Sequence, residues 1–523
     1  MAVDTNKSAV IRRRVAWNTT TNYIARFVAL GAGFLLTPFI LRHLDTATYG
    51  LWVLVGSVIA YSSLLDLGIA QAVVKYVAEY RARGDMQEAR HLVATALCLY
   101  SLLGLLIAVI AFVAAPLFPR VFSVSAEQTE LAITVVRLSG LTAAIAIPGT
   151  ITTSVLRGLH RYDLVNLVST IGTLGVMAGT VIVLLLGGGI IGVVVVNLAF
   201  TALGQIPATW FIHRTAPDLR FGWRGARRRC VRTIVGYSSS FFVMNVAGRL
   251  ENRTDEIVIG AFMSVGAVTP YSLARRLSEI TEILTDQFLK VMLPLASELH
   301  AQDDWDRLRL LYTTTSRLSL AIFLAIGCPV MILAPALLTL WVGPENAQYA
   351  YLVVILTLAS LVGASQWPAA TILQGMARHR LPALTALAAG LLNLALSIFL
   401  LSRIGLAGVA LGTLIPAVIE SLGFMLPYAM RTLRVSLREL AVQVYLPTLL
   451  PLIPTLIVLE LLSQAVDTPS LLNVAAVGSA GVLTYVGCYL LLGSSSLERD
   501  AGRDVARTAF RFLEARLRSP KTP

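Results

Sequence analysis

Long apolar stretches alternate with short polar connections along almost the whole chain. An α-helix needs about 20 apolar residues to cross the hydrocarbon core of a bilayer. The pattern therefore predicts an all-α polytopic membrane protein. Its fourteen predicted transmembrane helices span residues 17–42, 50–73, 91–117, 131–155, 163–187, 189–213, 234–262, 270–297, 312–342, 349–373, 382–402, 405–430, 441–463 and 471–493.

The composition excludes a soluble globular protein. Of the 523 residues, 56% are hydrophobic and 14% are charged, whereas soluble proteins carry about 25% charged residues. The four cysteines and six histidines lack the spacing of a metal site or a disulfide framework. None of the four lysines follows a glycine-rich phosphate loop. The sequence therefore predicts no metal and no cofactor.

The basic residues support this topology and give it an orientation. With the N-terminus placed in the cytoplasm, 33 of the 42 lysines and arginines fall on the cytoplasmic side and three on the opposite side. This asymmetry is the positive-inside pattern, so both termini are predicted to be cytoplasmic. The net charge of +13 follows mostly from topology. Because it is spread over short loops, a nucleic-acid partner is not expected.

The seventh and eighth predicted spans are unusually polar, so charge alone also allows a twelve-helix protein without them. An internal repeat favours fourteen. Asn22-x-x-x-Arg26 matches Asn245-x-x-x-Arg249 at an offset of 223 residues. In the same order Tyr49 matches Tyr271, Asp66 matches Asp286, Asp85 matches Asp303, Gly158 matches Gly375, and Arg161 matches Arg378.

The repeat contains six helices, so its two copies share one orientation, as in transporters with parallel repeats. It predicts two six-helix lobes and an appendage. The predicted divisions are an N-terminal lobe at 1–213, a basic cytoplasmic linker at 214–233, a C-terminal lobe at 234–438, two additional helices at 439–498, and a basic cytoplasmic tail at 499–523.

Three motifs of the chain point to a family. The N-terminal motif runs from Arg42 through Tyr49-Gly50 to Asp66-x-Gly68 and Glu79. Two further motifs, Arg157-Gly-Leu-His-Arg161 and Gln374-Gly-Met-Ala-Arg378, precede the predicted helices five and eleven. These motifs resemble those of polysaccharide (O-antigen, Wzx-type) flippases of the multidrug/oligosaccharidyl-lipid/polysaccharide (MOP) exporter superfamily. Asp45 departs from the pattern, since the family usually has glycine there.

The resemblance implies two lobes around a central cavity and no enzymatic activity. It also implies alternating access that moves an undecaprenyl-pyrophosphate-linked oligosaccharide across the bacterial inner membrane. The implied partners are this lipid-linked oligosaccharide and membrane lipids, with polysaccharide-assembly proteins as further candidates.

Five arginines inside predicted spans are candidates for binding the substrate's pyrophosphate. Arginine suits this headgroup because it stays charged and offers a fork of donors. The candidate set is Arg26, Arg249, Arg253, Arg275 and Arg276, with Asn22 and Asn245 as orienting residues. The repeat predicts that Arg26 and Arg249 form a two-sided clamp. The alternative is that these arginines only neutralise nearby acids.

Arg275, Glu279, Glu282 and Asp286 fall on one face of the eighth predicted helix. Carboxylates there could couple transport to H⁺ or Na⁺, or the stripe could be a solvated cavity wall. The candidate coupling residues are Glu279, Glu282, Asp286, Glu251, Asp255 and Asp66. For Asp66, beside Gly68, capping a turn is the alternative.

Two other functions are compatible with parts of this pattern. A drug or cation antiporter of the same superfamily would share the fold, but it would need an acidic pocket without accompanying arginines. An integral-membrane polysaccharide polymerase or ligase would need a large external loop for catalytic residues. The predicted external loops are short, which argues against an enzyme.

Overall fold

The computed structural model is almost entirely helical over the residues that it describes, which are 5–62, 68–219, 222, 225–234, 254–290, 292–378, 380–465 and 470–494. In the first half, the helices are α1 Thr5–His43, α2 Thr46–Ala60, α3 Ile69–Arg83, α4 Met86–Ala114, α5 Phe118–Val121, α6 Thr129–Gly158, α7 Tyr162–Leu185 and α8 Gly189–Thr215. Short helical segments follow at 228–234 and 254–262.

The second half continues with a similar succession of helices. They are α9 Val265–Lys290, α10 Met292–Ala301, α11 Trp305–Ile332, α12 Ala334–Val342, α13 Ala350–Ala364, α14 Trp367–Gly375, α15 Arg380–Ile404, α16 Leu406–Val418, α17 Leu426–Leu433, α18 Leu437–Leu440, α19 Leu446–Leu449, α20 Leu452–Gln464 and α21 Leu471–Cys488. Three π-helical segments also lie in this half, at Ile419–Met425, Ala441–Tyr445 and Tyr489–Gly493. Short 3₁₀ turns lie at Ala115–Leu117, Ala126–Gln128 and Pro344–Tyr349.

Eleven helices of the described residues are long and apolar enough to cross a membrane, and α2 is a shorter apolar helix. The eleven correspond to all predicted spans except the second, seventh and eighth. Of these three, the second is short and the eighth carries many charges. Of the seventh, only residues 234 and 254–262 are described. The all-α polytopic fold is confirmed, and the number fourteen stays a prediction.

The second predicted span, 50–73, is divided in the structure. α2 ends at Ala60, and α3 begins at Ile69 after Gly68, which has a φ of +81°. The first turns of α3 are buried against α4 and α6. Its apolar residues therefore contact protein, which is why hydropathy alone extended the span too far.

The turn after α6 and the turn after α14 have the same backbone conformation. Arg161 N donates to Leu156 O, and Arg378 N donates to Leu373 O, both at 2.8 Å. The residue before each arginine has positive φ, at +59° for His160 and +57° for Ala377. Both turns are thus Schellman-type helix ends, so the two copies of the sequence repeat also share this local structure.

Close packing at the two matched glycines extends the repeat. A Cβ on Gly158 would lie 2.9 Å from Val77 Cβ of α3, and a Cβ on Gly375 would lie 2.9 Å from Ala296 Cβ of α10. In each half, therefore, a short helix packs against the glycine at the end of a longer segment, at the same position of the repeat. α10 is the counterpart of α3.

The turn before the next helix is repeated as well. Gly84 and Asp303 both have positive φ, at +74° and +59°, and the following residues, Asp85 and Asp304, cap α4 and α11. Asp85 therefore corresponds in structure to Asp304, one residue beyond the Asp303 that the sequence comparison paired with it.

The helices pack as two compact units. The first comprises Met1–Ser272 with Ala386–Gly412, and the second comprises Leu273–Thr385 with Thr413–Pro523. In the first unit, apolar residues of α3, α4, α6 and α8 form one core cluster. In the second, residues of α10, α11, α14 and α17 form another.

Part of the predicted basic linker is docked against the first unit. His91 Nδ1 donates to Gly225 O at 2.8 Å, and Arg227 N donates to Thr95 Oγ1 at 2.9 Å. Cys230 and Ile234 are buried in the core cluster, and burial raises the pKa of the Cys230 thiol. This segment is therefore anchored to the start of α4.

Candidate functional site

Asn22 and Arg26 lie one turn apart on α1, and both side chains are exposed. Since residues four apart share a helix face, the two polar groups form a short stripe there. Thr21 beside them accepts a hydrogen bond from Asn166 Nδ2 of α7 at 3.1 Å. α7 thus contacts α1 directly beside this stripe.

The charged stripe predicted for the eighth span lies on one continuous helix, α9. Arg275 Nε is 3.4 Å from Glu279 Oε1, with side chains that are 14% and 46% exposed. Glu282 accepts a hydrogen bond of 2.5 Å from Ser360 Oγ of α13. Arg276 and Asp286 are half-buried. The structure brings these five predicted residues together on one helix of the second unit.

A second polar cluster is buried in the first unit. Asp255 and Glu256 are each only 3% exposed. Tyr271 Oη donates to Asp255 Oδ2 at 2.5 Å, and the Tyr61 hydroxyl lies 2.6 Å from Thr254 Oγ1. Buried carboxylates are rare and marked by close partners, so this cluster is a candidate site in its own right.

Residues 260–269, next to this cluster, pack closely against α2. A Cβ on Gly50 would overlap the Val265 carbonyl at the start of α9, and a Cβ on Gly260 would lie 2.6 Å from Leu54. Thr269 Oγ1 also donates to Thr46 O at 2.7 Å. α2 is therefore packed closely against the start of α9.

Some predicted site residues lie outside the described residues. They are Asp66, Asn245, Arg249, Glu251 and Arg253. The clamp between Arg26 and Arg249 is therefore not tested and stays a prediction.

Sequence reasoning missed three partners that matter in these clusters. Ser360 binds Glu282 from a helix 78 residues away along the chain, and no motif links the two. Glu256 extends the predicted helix face of Arg249 and Arg253. It was not among the candidate coupling residues, although it is as buried as Asp255. Tyr271 was singled out as a repeat position, but nothing in its spacing connected it with Asp255.

The described residues contain no group of three or more His, Cys, Asp or Glu side chains that could hold a metal ion. In the part of the structure that is described, the polar clusters pair acids with hydroxyls and arginines. Their chemistry suits proton exchange and the binding of anions or sugar hydroxyls.

The fold is similar to that of solved membrane transporters. The lipid II flippase MurJ in its inward closed conformation matches with a TM-score of 0.74 and 15% identity, over 93% of this chain and 99% of that one. An inward-facing multidrug resistance MATE family transporter of the MOP superfamily matches with a TM-score of 0.68 and 17% identity, over 79% and 96%. These likenesses confirm the predicted fold.

The sequence has relatives as well. It is 22% identical to the uncharacterized membrane protein EpsK of Bacillus subtilis (strain 168) over 425 residues, which cover 79% of this chain and 83% of that protein. Residues 39–350, more than half of the chain, match the model of the family described as polysaccharide biosynthesis protein. The chain therefore belongs to this polysaccharide biosynthesis family.

Proposed function

We propose that this protein is a flippase that moves an undecaprenyl-pyrophosphate-linked oligosaccharide across the bacterial plasma membrane. The family membership and the MurJ-like fold support a flippase in polysaccharide biosynthesis. Both termini lie in the cytoplasm, in keeping with the basic residues at the chain ends.

The observation that carries the proposal is the stripe on α9. It places Arg275 and three acids on one face of a helix that also carries Arg276. The same helix has buried hydroxyls at Ser278, Thr281 and Thr285. Charged side chains inside a membrane protein face its interior or a water-filled cavity. A surface with both donors and acceptors suits sugar hydroxyls, and its arginines suit a pyrophosphate.

Arg26 supplies the headgroup site on α1. A charge-assisted hydrogen bond contributes roughly 1.5–3 kcal/mol, so we expect Arg26→Ala to weaken binding of undecaprenyl pyrophosphate by about tenfold. Arg26→Lys should recover only part of the loss, because lysine keeps the charge without the fork. Arg42→Ala, an exposed arginine at the end of the same helix, is the matched control.

Binding is measured with purified protein and undecaprenyl pyrophosphate by a fluorescence or calorimetric titration. Equal affinities for Arg26→Ala and Arg42→Ala would remove Arg26 from the site. The same prediction applies to Arg249→Ala if the clamp is correct.

Coupling to H⁺ or Na⁺ is the second part of the proposal. Glu282 and Asp286 lie one turn apart on α9, where a proton or cation can be exchanged between carboxylates. The double variant Glu282→Gln with Asp286→Asn should abolish the response of flipping to an imposed ion gradient. Glu298→Gln, an exposed acid on α10, should leave that response intact.

Flipping is measured in proteoliposomes with a fluorescent lipid-linked oligosaccharide and imposed pH or sodium gradients. If the unmodified protein is indifferent to both gradients, the stripe is a solvated wall only. A cationic dye in a parallel assay tests the antiporter alternative, which its similarity to the MATE transporter keeps open. Gradient-driven export of the dye without lipid flipping would replace the flippase proposal.

A further inference from the structure

Arg137 is an intramembrane cation that the proposed transport function does not use. It is the ninth residue of α6, so it lies about 12 Å along the axis from the first residue of that helix. The internal repeat gives Arg137 no matching arginine in the second half of the chain. A charged side chain in a span is functional by default and needs a partner.

The protein supplies no such partner among the described residues. Arg137 Nε is buried and has no hydrogen-bond acceptor there, and none of the ion pairs in that part of the chain includes Arg137. A guanidinium with a desolvated, unused donor costs free energy unless an anion completes it. The terminal nitrogens of the guanidinium are not among the buried unpaired atoms, so we infer that they take an acceptor from outside the described residues.

The surroundings of Arg137 indicate where that acceptor comes from. Its guanidinium carbon is 5.8 Å from the centroid of the Phe112 ring on α4, a cation–π distance. Phe112 is 47% exposed, and Val109 and Val113 beside it are exposed as well. An exposed face made only of apolar residues suits lipid chains rather than a sugar-binding cavity.

Close packing prevents Arg137 from turning inward. One turn along α6, a Cβ on Gly140 would overlap Ala111 Cβ of α4, and a Cβ on Gly104 would lie 2.5 Å from Ala144 O. α4 and α6 thus touch at two levels beside Arg137. The guanidinium is confined to the lipid-facing edge of this helix pair.

We propose that Arg137 binds the phosphate of a glycerophospholipid at the edge between α4 and α6. The fork of donors matches phosphate oxygens, and the exposed apolar face beside Phe112 accommodates the acyl chains. Arg137 lies at the end of α6 remote from Gly158 and the basic helix α3. In the proposed orientation this lipid belongs to the outer leaflet, so the site is separate from the headgroup site on α1.

The test is native mass spectrometry of the full-length protein after delipidation, with added phosphatidylglycerol or with diacylglycerol, which lacks the phosphate. Arg137→Gln should lower the affinity for the tightest-bound phosphatidylglycerol about tenfold, because it removes a charge-assisted contact. Arg403→Gln is the matched control. Arg403 stacks on Phe399 at 5.9 Å in the same way, but its side chain is exposed.

Arg137→Lys should give an intermediate affinity, and it serves as the test variant if Arg137→Gln does not fold. Equal retention of phosphatidylglycerol by the unmodified protein and the Arg137 variants overturns the proposal, as does equal retention of diacylglycerol. A third arm adds undecaprenyl phosphate. If only this lipid depends on Arg137, the site serves the carrier lipid and the phospholipid assignment is wrong.

Discussion

At the scale of single residues, two glycines determine how closely each half of the protein can pack. Gly158 lies against Val74 and Val77, and Gly375 lies against Leu293 and Ala296. In both places the nearest atoms belong partly to the backbone, which cannot move aside as a flexible side chain can. A methyl group at either position must push two helices apart.

We therefore expect Gly158→Ala to lower the free energy of unfolding by about 1–3 kcal/mol through overpacking. Gly172→Ala is the control, since a Cβ there meets nothing within 4 Å, and alanine in a helix stabilises by up to about 1 kcal/mol. Thermal unfolding in detergent measures both. A Gly158→Ala protein as stable as the Gly172→Ala protein would contradict the close contact.

Single residues also show what the sequence could and could not predict. Asp85 and Asp304 carry the local signal of a helix N-cap, and the repeat was visible because such turn residues recur in order. The bond between Ser360 and Glu282 had no such signal. It joins two helices that are distant in the sequence, and no local sequence pattern shows which distant helices pack together.

At the scale of elements, α2 is a helix whose close packing bears on the proposed transport cycle. It is short, it begins at the Asp45 cap, and its Gly50 lies against the Val265 carbonyl. In the proposed orientation this contact is at the outer side of the membrane. If the proposed alternating access is correct, we expect this contact to separate when the protein opens outward.

Gly50→Leu should hold this contact apart, because the leucine side chain cannot fit where even a Cβ overlaps backbone. A Thr269→Cys reporter, buried in the unmodified protein, should then react several-fold faster with a membrane-impermeant maleimide. Gly56→Leu on the same helix is the control, since its position is open. The exposed Cys98 is replaced in all variants. Equal labelling rates would show that Gly50 does not keep the contact closed.

Elements also mark the limit of hydropathy as a guide. The predicted spans at 163–187 and 189–213 agree with α7 and α8 within a few residues. Both helices are apolar, and little of either one is buried in the protein. The span at 50–73 was wrong in its second half, where the buried residues of α3 resemble membrane residues. Burial in protein and burial in lipid select the same side chains.

At the scale of the whole molecule, the fold was predictable because composition, charge asymmetry and the repeat all agree. The candidate site could be predicted from the sequence only in part. Its stripe on α9 was visible as a periodicity, and its four residues lie on one continuous helix in the structure. The orientation across the membrane is inferred from charge alone.

Orientation can be tested by labelling single cysteines in intact cells. Ser264→Cys, in the exposed turn before α9, should react with an impermeant maleimide, whereas Gln302→Cys, in the exposed turn before α11, should react only after permeabilisation. Both are made in a background without Cys98. The reverse result would invert the topology, and protection of both sites would favour a model with fewer spans.

The matched turns at Gly158 and Gly375 have a consequence for how the chain is made. In each, a glycine at a helix end lies against a short helix, so we expect α3 and α10 to compete for the same kind of partner. Synthesis resolves the competition, because the ribosome releases the first half before the second exists, and earlier segments fold first. The order of synthesis thus favours the packing of each short helix against the helix end of its own half.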